Sequence, residues 1–162
     1  MQSLNTRHQG ISVILLSFAI AMLIDTMPWP DGLSLFKPDV VVLVLIYWVM
    51  AMPERFGVFT GWMIGLFVDV LEGKLFGINA LSLSVTAYLT TMICYRIRVY
   101  PKWKQAFNVA VLVGLNRLIV MNISGLLQPV QVNYTHWLPL IGSAILWPWL
   151  YILLRDVRRR FC

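Results

Sequence analysis

The sequence predicts an all-α, polytopic membrane protein with six transmembrane helices and both termini on the cytoplasmic side. Three observations predict it: a composition too apolar for water, six apolar runs of spanning or near-spanning length, and basic residues crowded onto one side of those runs. Of 162 residues, 59% are hydrophobic and 12% charged, against about a quarter charged in a soluble domain. The mean hydropathy of +0.76 agrees. By length the chain is one domain, residues 1–162.

A spanning helix needs about 20 apolar residues. The first run, Ile11–Met27, follows the basic start MQSLNTRHQG and has the outline of a signal peptide. It ends in DTMPWP without a small-x-small cleavage site, so it reads as a retained helix. The second, Pro38–Met52, opens on a proline, which suits the first turn of a helix. The third is Phe56–Leu71. These two are short, so they either thin the bilayer locally or form a re-entrant pair. The fourth is Phe76–Tyr95, the fifth Trp103–Leu127 and the sixth His136–Leu154, where Pro139 and Pro148 are expected to kink or interrupt the helix.

With six spans, Arg7, Arg55, Arg96, Arg98, Lys102, Lys104, Arg155, Arg158, Arg159 and Arg160 share one side, ten of the thirteen Lys and Arg. Lys37 and Lys74 take the other, and Arg117 lies within the fifth span. The positive-inside rule makes the crowded side cytoplasmic. Trp29 and Trp137 then fall at the outer interface, and Trp103, Trp147 and Trp149 at the inner one, an aromatic belt. The basic edge, RIRVYPKWK and RDVRRRF, sits against the membrane, which suits anionic lipid or a cytoplasmic protein and argues against nucleic acid. Cys94 and Cys162 lie on the reducing side, where a disulfide is not expected, and no metal-ligand spacing or cofactor motif occurs. The short loops leave no room for a soluble catalytic domain, and no nucleophile–base pair stands out for an intramembrane enzyme.

The third run holds a repeat, GVFTGWMIGLFVDVLEG: Gly57, Gly61, Gly65 and Gly73 at four-residue steps with Asp69 on the same line. Residues four apart drift by about 40° around a helix, so these form one ridge. Lacking side chains, the ridge is a groove for close helix packing, within the chain or against a partner's helix. Asp69 needs a partner, because a carboxylate in lipid costs several kcal/mol. Arg117 has the same depth from the same membrane face, about 18 Å, so an Asp69–Arg117 pair is expected; the alternative is that the short helix leaves Asp69 hydrated near the outer interface. The fourth helix carries Ser82, Thr86 and Thr90 at spacing four, with Asn79 near its outer end. With Asp25 of the first helix and Asn116 and Arg117 of the fifth, these either bind helices together or line an outward-opening polar pocket.

The run KPDVVVLVLIYWVMAMPERFGVFTGWMIGLFVDVLEGKLFGINALSLSVTAYL, the MPWPD after the first helix and the closing ILWPWLYILLRDVRRRF resemble the rod-shape-determining MreD family over nearly the whole chain. The fifth helix matches least, and Arg117 is not carried over from the family. The resemblance implies a non-enzymatic inner-membrane scaffold of the bacterial cell-elongation machinery, with no cofactor. Its implied partners are the bitopic protein MreC through its transmembrane helix, and further MreB, RodA and a class B penicillin-binding protein, beside membrane lipids. It also implies a fold similar to the substrate-binding component of energy-coupling-factor transporters. That likeness carries the competing expectation, a small-molecule-binding or transporter-like subunit with an outward-facing polar pocket.

Overall fold

The computed structural model describes residues 2–28, 30, 37–73, 77–97, 99–127 and 137–161. The described residues form six α-helices: α1 Gln2–Thr26, α2 Val40–Ala51, α3 Val58–Glu72, α4 Ile78–Ile97, α5 Lys102–Leu127 and α6 Leu138–Phe161. Each answers one predicted run. Three are long and apolar enough to cross a membrane, over Ile78–Arg96, Trp103–Leu126 and Leu138–Arg160; Ser12–Thr26 and Val40–Ala51 are shorter apolar helices.

α2 is the axis of the bundle. Every residue from Val40 to Met50 is buried. Its sequence, VVVLVLIYWVM, has no polar face, the pattern of a helix enclosed on all sides. Around it pack α1, α4, α5 and α6. Ile14, Phe18 and Ala21 of α1, Leu83 and Ala87 of α4, Val109 and Val113 of α5, and Trp147 and Leu154 of α6 form one core with it. Trp48 satisfies its indole N–H inside that core by donating to Ser17 Oγ at 3.0 Å. Tyr47 stands edge-on to both Trp48 and Tyr151. The outer surface is apolar too: Leu15, Leu16, Ile20 and Leu23 of α1 and Phe59, Phe67 and Val70 of α3 are exposed. Such a surface suits lipid as solvent.

α3 and α4 form the tightest pair, and the glycine ridge is the reason. A Cβ on Gly61 would lie 2.6 Å from the Leu83 carbonyl oxygen, and one on Gly65 would lie 2.3 Å from Ala80 Cα. The groove is therefore filled by α4 of the same chain rather than left open to a partner's helix. The ridge ends differently: Gly57 caps the start of α3, and Gly73 closes it in the left-handed conformation, φ 61°, with open space around both.

Two further expectations change. Of the two outcomes expected at Pro148, interruption does not occur: α6 continues through it, since in lipid an interrupted helix would expose backbone that nothing could hydrate. Pro139 falls in the first turn, where its missing N–H costs nothing. Trp147 is fully buried against Tyr151 and belongs to the core, whereas Trp103, Trp137 and Trp149 are exposed as an interfacial belt requires. Trp29 lies outside the described residues.

Gly65→Ala should cost about 1–3 kcal/mol, because the methyl meets backbone that cannot step aside. Gly57→Ala should be close to neutral, and thermal unfolding of the two variants in detergent compares them directly.

Candidate functional site

The charged and amide side chains singled out in the sequence fall into three separate clusters, and each cluster serves a helix end or a helix seam. Asp69 is fully buried on α3. Its carboxylate accepts from the backbone N–H of Gly77 at 2.9 Å, of Asn79 at 3.0 Å and of Ala80 at 3.3 Å. These are the amides that the first turn of α4 leaves without intrahelical partners, and the positive end of the helix dipole adds to the attraction. Asn79 closes the edge by donating to Glu72 Oε2 at 2.9 Å.

The expected Asp69–Arg117 pair does not form. Arg117 grips Asp39 instead, Nε to Oδ2 at 2.6 Å and Nη2 to Oδ1 at 2.8 Å. The fork matches both carboxylate oxygens, a strong geometry for an ion pair. Equal depth did not make Asp69 and Arg117 neighbours, because α3 packs on α4 and α4 in turn packs on α5. Asp39 is the residue before α2, and its backbone N–H points at Ser143 Oγ of α6, 3.4 Å away.

Asp25 performs for α2 what Asp69 performs for α4. Its two oxygens accept from Val40 N at 3.1 Å and Val41 N at 2.9 Å, and Lys37 Nζ donates to its backbone carbonyl. Asn116 belongs to a third cluster, buried between α4 and α5. Its Oδ1 accepts from Ser82 Oγ at 2.5 Å and from Thr86 Oγ1 at 3.3 Å. Thr90 turns back onto its own helix, donating to the Thr86 carbonyl at 2.7 Å. Asp25 and Asp69 thus meet backbone amides, while Asn79, Asn116 and Arg117 meet the side chains of Glu72, Ser82 and Thr86, and Asp39, and among the described residues the five do not converge on one outward pocket.

The opposite end of the bundle is basic. Lys104 lies over the rings of Trp103 and Tyr100, 5.3 and 5.8 Å from their centroids, within reach of a cation–π contact. Arg155 Nε stands 3.6 Å from Asp156 Oδ1. Arg96, Arg159 and Arg160 are exposed. Arg98 and the side chain of Lys102 lie outside the described residues, as does Cys162. Cys94 is buried, its thiol 3.1 Å from the Thr91 carbonyl. Among the described residues no group of His, Cys, Asp and Glu could hold a metal.

Sequence reasoning missed a cavity of about 300 Å³ at this end, lined by Tyr47, Met50, Ala51, Gln105, Tyr151 and Arg158. Its signals were present but faint. Gln105 is an amide that is 5% exposed, Tyr47 is a phenol inside an apolar run, and Tyr151 and Arg158 stand seven residues apart on one helix face. Arg158 Nη1 reaches the Ala51 carbonyl at 3.5 Å, on the last residue of α2.

The family described as rod shape-determining protein MreD matches residues 6–157. The Rod shape-determining protein MreD of Haemophilus influenzae is 33% identical over 150 residues, covering 91% of each chain. This chain belongs to the MreD family. No solved structure matches it. Membership places it among rod shape-determining proteins, and with three helices fit to cross a bilayer it is a membrane protein of that family.

The pairings above predict how substitutions combine. Asp39→Asn and Arg117→Gln should show about 1 kcal/mol of coupling in a double-mutant cycle. Asp69→Asn should cost about 2 kcal/mol by weakening a charged cap, and should add to Arg117→Gln within about 0.5 kcal/mol. Unfolding of the purified variants measures both; strong Asp69–Arg117 coupling would contradict the arrangement described.

Proposed function

We propose that the chain is a non-enzymatic scaffold of the cell-elongation machinery in the bacterial inner membrane. In this reading it crosses the membrane six times, with both termini in the cytoplasm, and binds the transmembrane helix of MreC. Through MreC it is linked to peptidoglycan synthesis, with MreB, RodA and a class B penicillin-binding protein as further partners. The observation that carries the reading is the way the bundle's buried and half-buried polar groups are used. Asp25 and Asp69 hold helix starts, Asp39 and Arg117 hold each other, and Asn116 ties α4 to α5. Polar groups committed to the fold suit a protein that acts through its surface. The transporter-like alternative needs some of them directed at an outward cavity, and loses support. The resemblance to the substrate-binding component of energy-coupling-factor transporters then extends to the six-helix plan, without the ligand pocket.

The partner's helix lies, in this proposal, on the exposed face of α3 rather than in its glycine groove. Phe59, Met63, Phe67 and Val70 recur at helical spacing there, and all are exposed. Phe59 and Trp62 stack at a tilt, 6.1 Å between centroids, giving the face a rigid aromatic end. In lipid, helices associate through shape and packing rather than through burial from water, so a face of large fixed side chains offers recognition over a long contact. Single cysteines at Phe59, Met63 and Phe67, in a background lacking Cys94 and Cys162, should crosslink in native membranes to a cysteine scan of MreC's transmembrane segment with helical periodicity. Exposed positions on α5, such as Val111 and Leu115, should not. Crosslinks at Val111 and Leu115 with none on α3 would move the interface; none on any exposed helix face would end the scaffold reading.

A further inference from the structure

The cavity at the basic end adjoins the finish of α2, where Arg158 reaches the Ala51 carbonyl, and its construction calls for a ligand of one kind. Three helices bring one stripe each to it. α2 contributes Tyr47, Met50 and Ala51, α5 contributes Gln105, and α6 contributes Tyr151 and Arg158. Gln105 is held in place by donating through Nε2 to the Tyr100 carbonyl at 3.1 Å, so it shapes the wall, and the guanidinium of Arg158 is the group that brings charge and donors to the space. Among the described lining residues Arg158 carries the one charge, and no carboxylate opposes it. Arg158 holds the Ala51 carbonyl at 3.5 Å, at the outer limit of a hydrogen bond, and a guanidinium has five N–H donors in a planar fork. The next two residues, Arg159 and Arg160, extend the positive field outward.

The depth of the cavity indicates where a ligand would come from. Gln105 follows directly on Trp103 and Lys104, whose exposed ring and cation mark the membrane–water interface. On α6, the exposed Trp149, Ile152 and Leu153 flank Tyr151 and turn toward lipid. A cavity at headgroup depth that holds one guanidinium and no carboxylate among its described lining residues suits a phosphate.

We infer that this cavity binds a phosphate group, supplied by the headgroup of an anionic phospholipid, with Arg158 as its charge partner and Tyr47, Gln105 and Tyr151 shaping the cradle. About 300 Å³ is enough for a small polar ligand and thus for a phosphate with part of a glycerol. The lipid source rests on the membrane reading above, whereas the phosphate chemistry rests on the cavity alone.

The test uses the full chain purified in detergent. Bound lipid is counted by native mass spectrometry during titration with dioleoyl phosphatidylglycerol and, separately, dioleoyl phosphatidylcholine. A parallel arm titrates inorganic phosphate into lipid-free protein. The wild type should retain one phosphatidylglycerol in preference to phosphatidylcholine. Arg158→Gln should weaken that retention about ten-fold, the usual scale for losing one charged hydrogen-bond partner. Ala51→Leu fills the cavity without changing charge and should abolish retention. Arg159→Gln and Arg160→Gln, at exposed positions, should change it less than about twofold.

If inorganic phosphate saturates the same Arg158-dependent site and phosphatidylglycerol does not displace it, the phosphate site stands and its source is free phosphate. Equal losses from all three arginine variants would reduce the effect to a general basic surface and overturn the inference. Retention in Ala51→Leu would overturn it as well, and that variant decides if Arg158→Gln fails to accumulate. The counting is done in vitro, so it is independent of membrane orientation and of any crosslink to MreC.

Discussion

A helix of twelve residues that is buried on every side sets the terms for the rest of this molecule. A helix end leaves four N–H groups or four carbonyls without partners. A helix that reaches water can leave them to solvent, but α2 is enclosed from Val40 to Met50. Its ends must be met by side chains from its neighbours. Asp25 of α1 takes the amides of Val40 and Val41, Ser143 of α6 approaches the amide of Asp39, and Arg158 of α6 reaches the carbonyl of Ala51. The signs are those the helix dipole favours, carboxylate at the start and guanidinium at the finish. Removing a neighbour would therefore strip a cap as well as a packing face.

The same solution recurs at α4, where Asp69 holds three amides. In both cases the carboxylate belongs to the helix preceding in the chain, near its C-terminal end. A short connection then returns the next helix start to the carboxylate. This accounts for an aspartate on a glycine ridge. Gly61 and Gly65 let α4 lie against α3 at backbone distance, and that closeness places the first turn of α4 within reach of Asp69. Ridge and carboxylate are two parts of one joint.

Helix number, helix order and the apolar central segment were legible in the sequence, because hydrophobic runs report directly on which backbone can be taken out of water. Partners of buried charges were not. Depth along a helix follows from counting residues, and by that measure Asp69 and Arg117 matched. Adjacency depends on which helix lies beside which, and pattern says nothing of that. Asp69, moreover, is satisfied by backbone amides, which every residue but proline supplies and no side-chain pattern marks. Asp39 carried a readable signal: it follows Pro38 at the mouth of an apolar run, where a helix start is expected. Trp147 misled for a related reason. Position near a span end suggested the interface, but the seven-residue spacing from Leu154 puts both on the buried face of α6.

The two ends of the central helix also differ in a way that bears on function. At its start the charges are balanced: Asp25 meets amides, Asp39 meets Arg117, and Lys37 donates to the Asp25 carbonyl. At its finish Arg158 reaches the Ala51 carbonyl at 3.5 Å, and beside that contact the three helices leave space. Close packing is the ordinary condition of a protein interior, so a void lined by polar groups asks for a cause. A bundle can seal one end of a buried helix entirely with its own side chains when those chains are short, as aspartates are. A single arginine from the last turn of α6, with Tyr47 and Tyr151 also lining the space, leaves a volume of about 300 Å³ unfilled. The geometry that closes the start of α2 therefore keeps its finish open, and it is there, at the basic edge, that the molecule can take up something it does not itself contain.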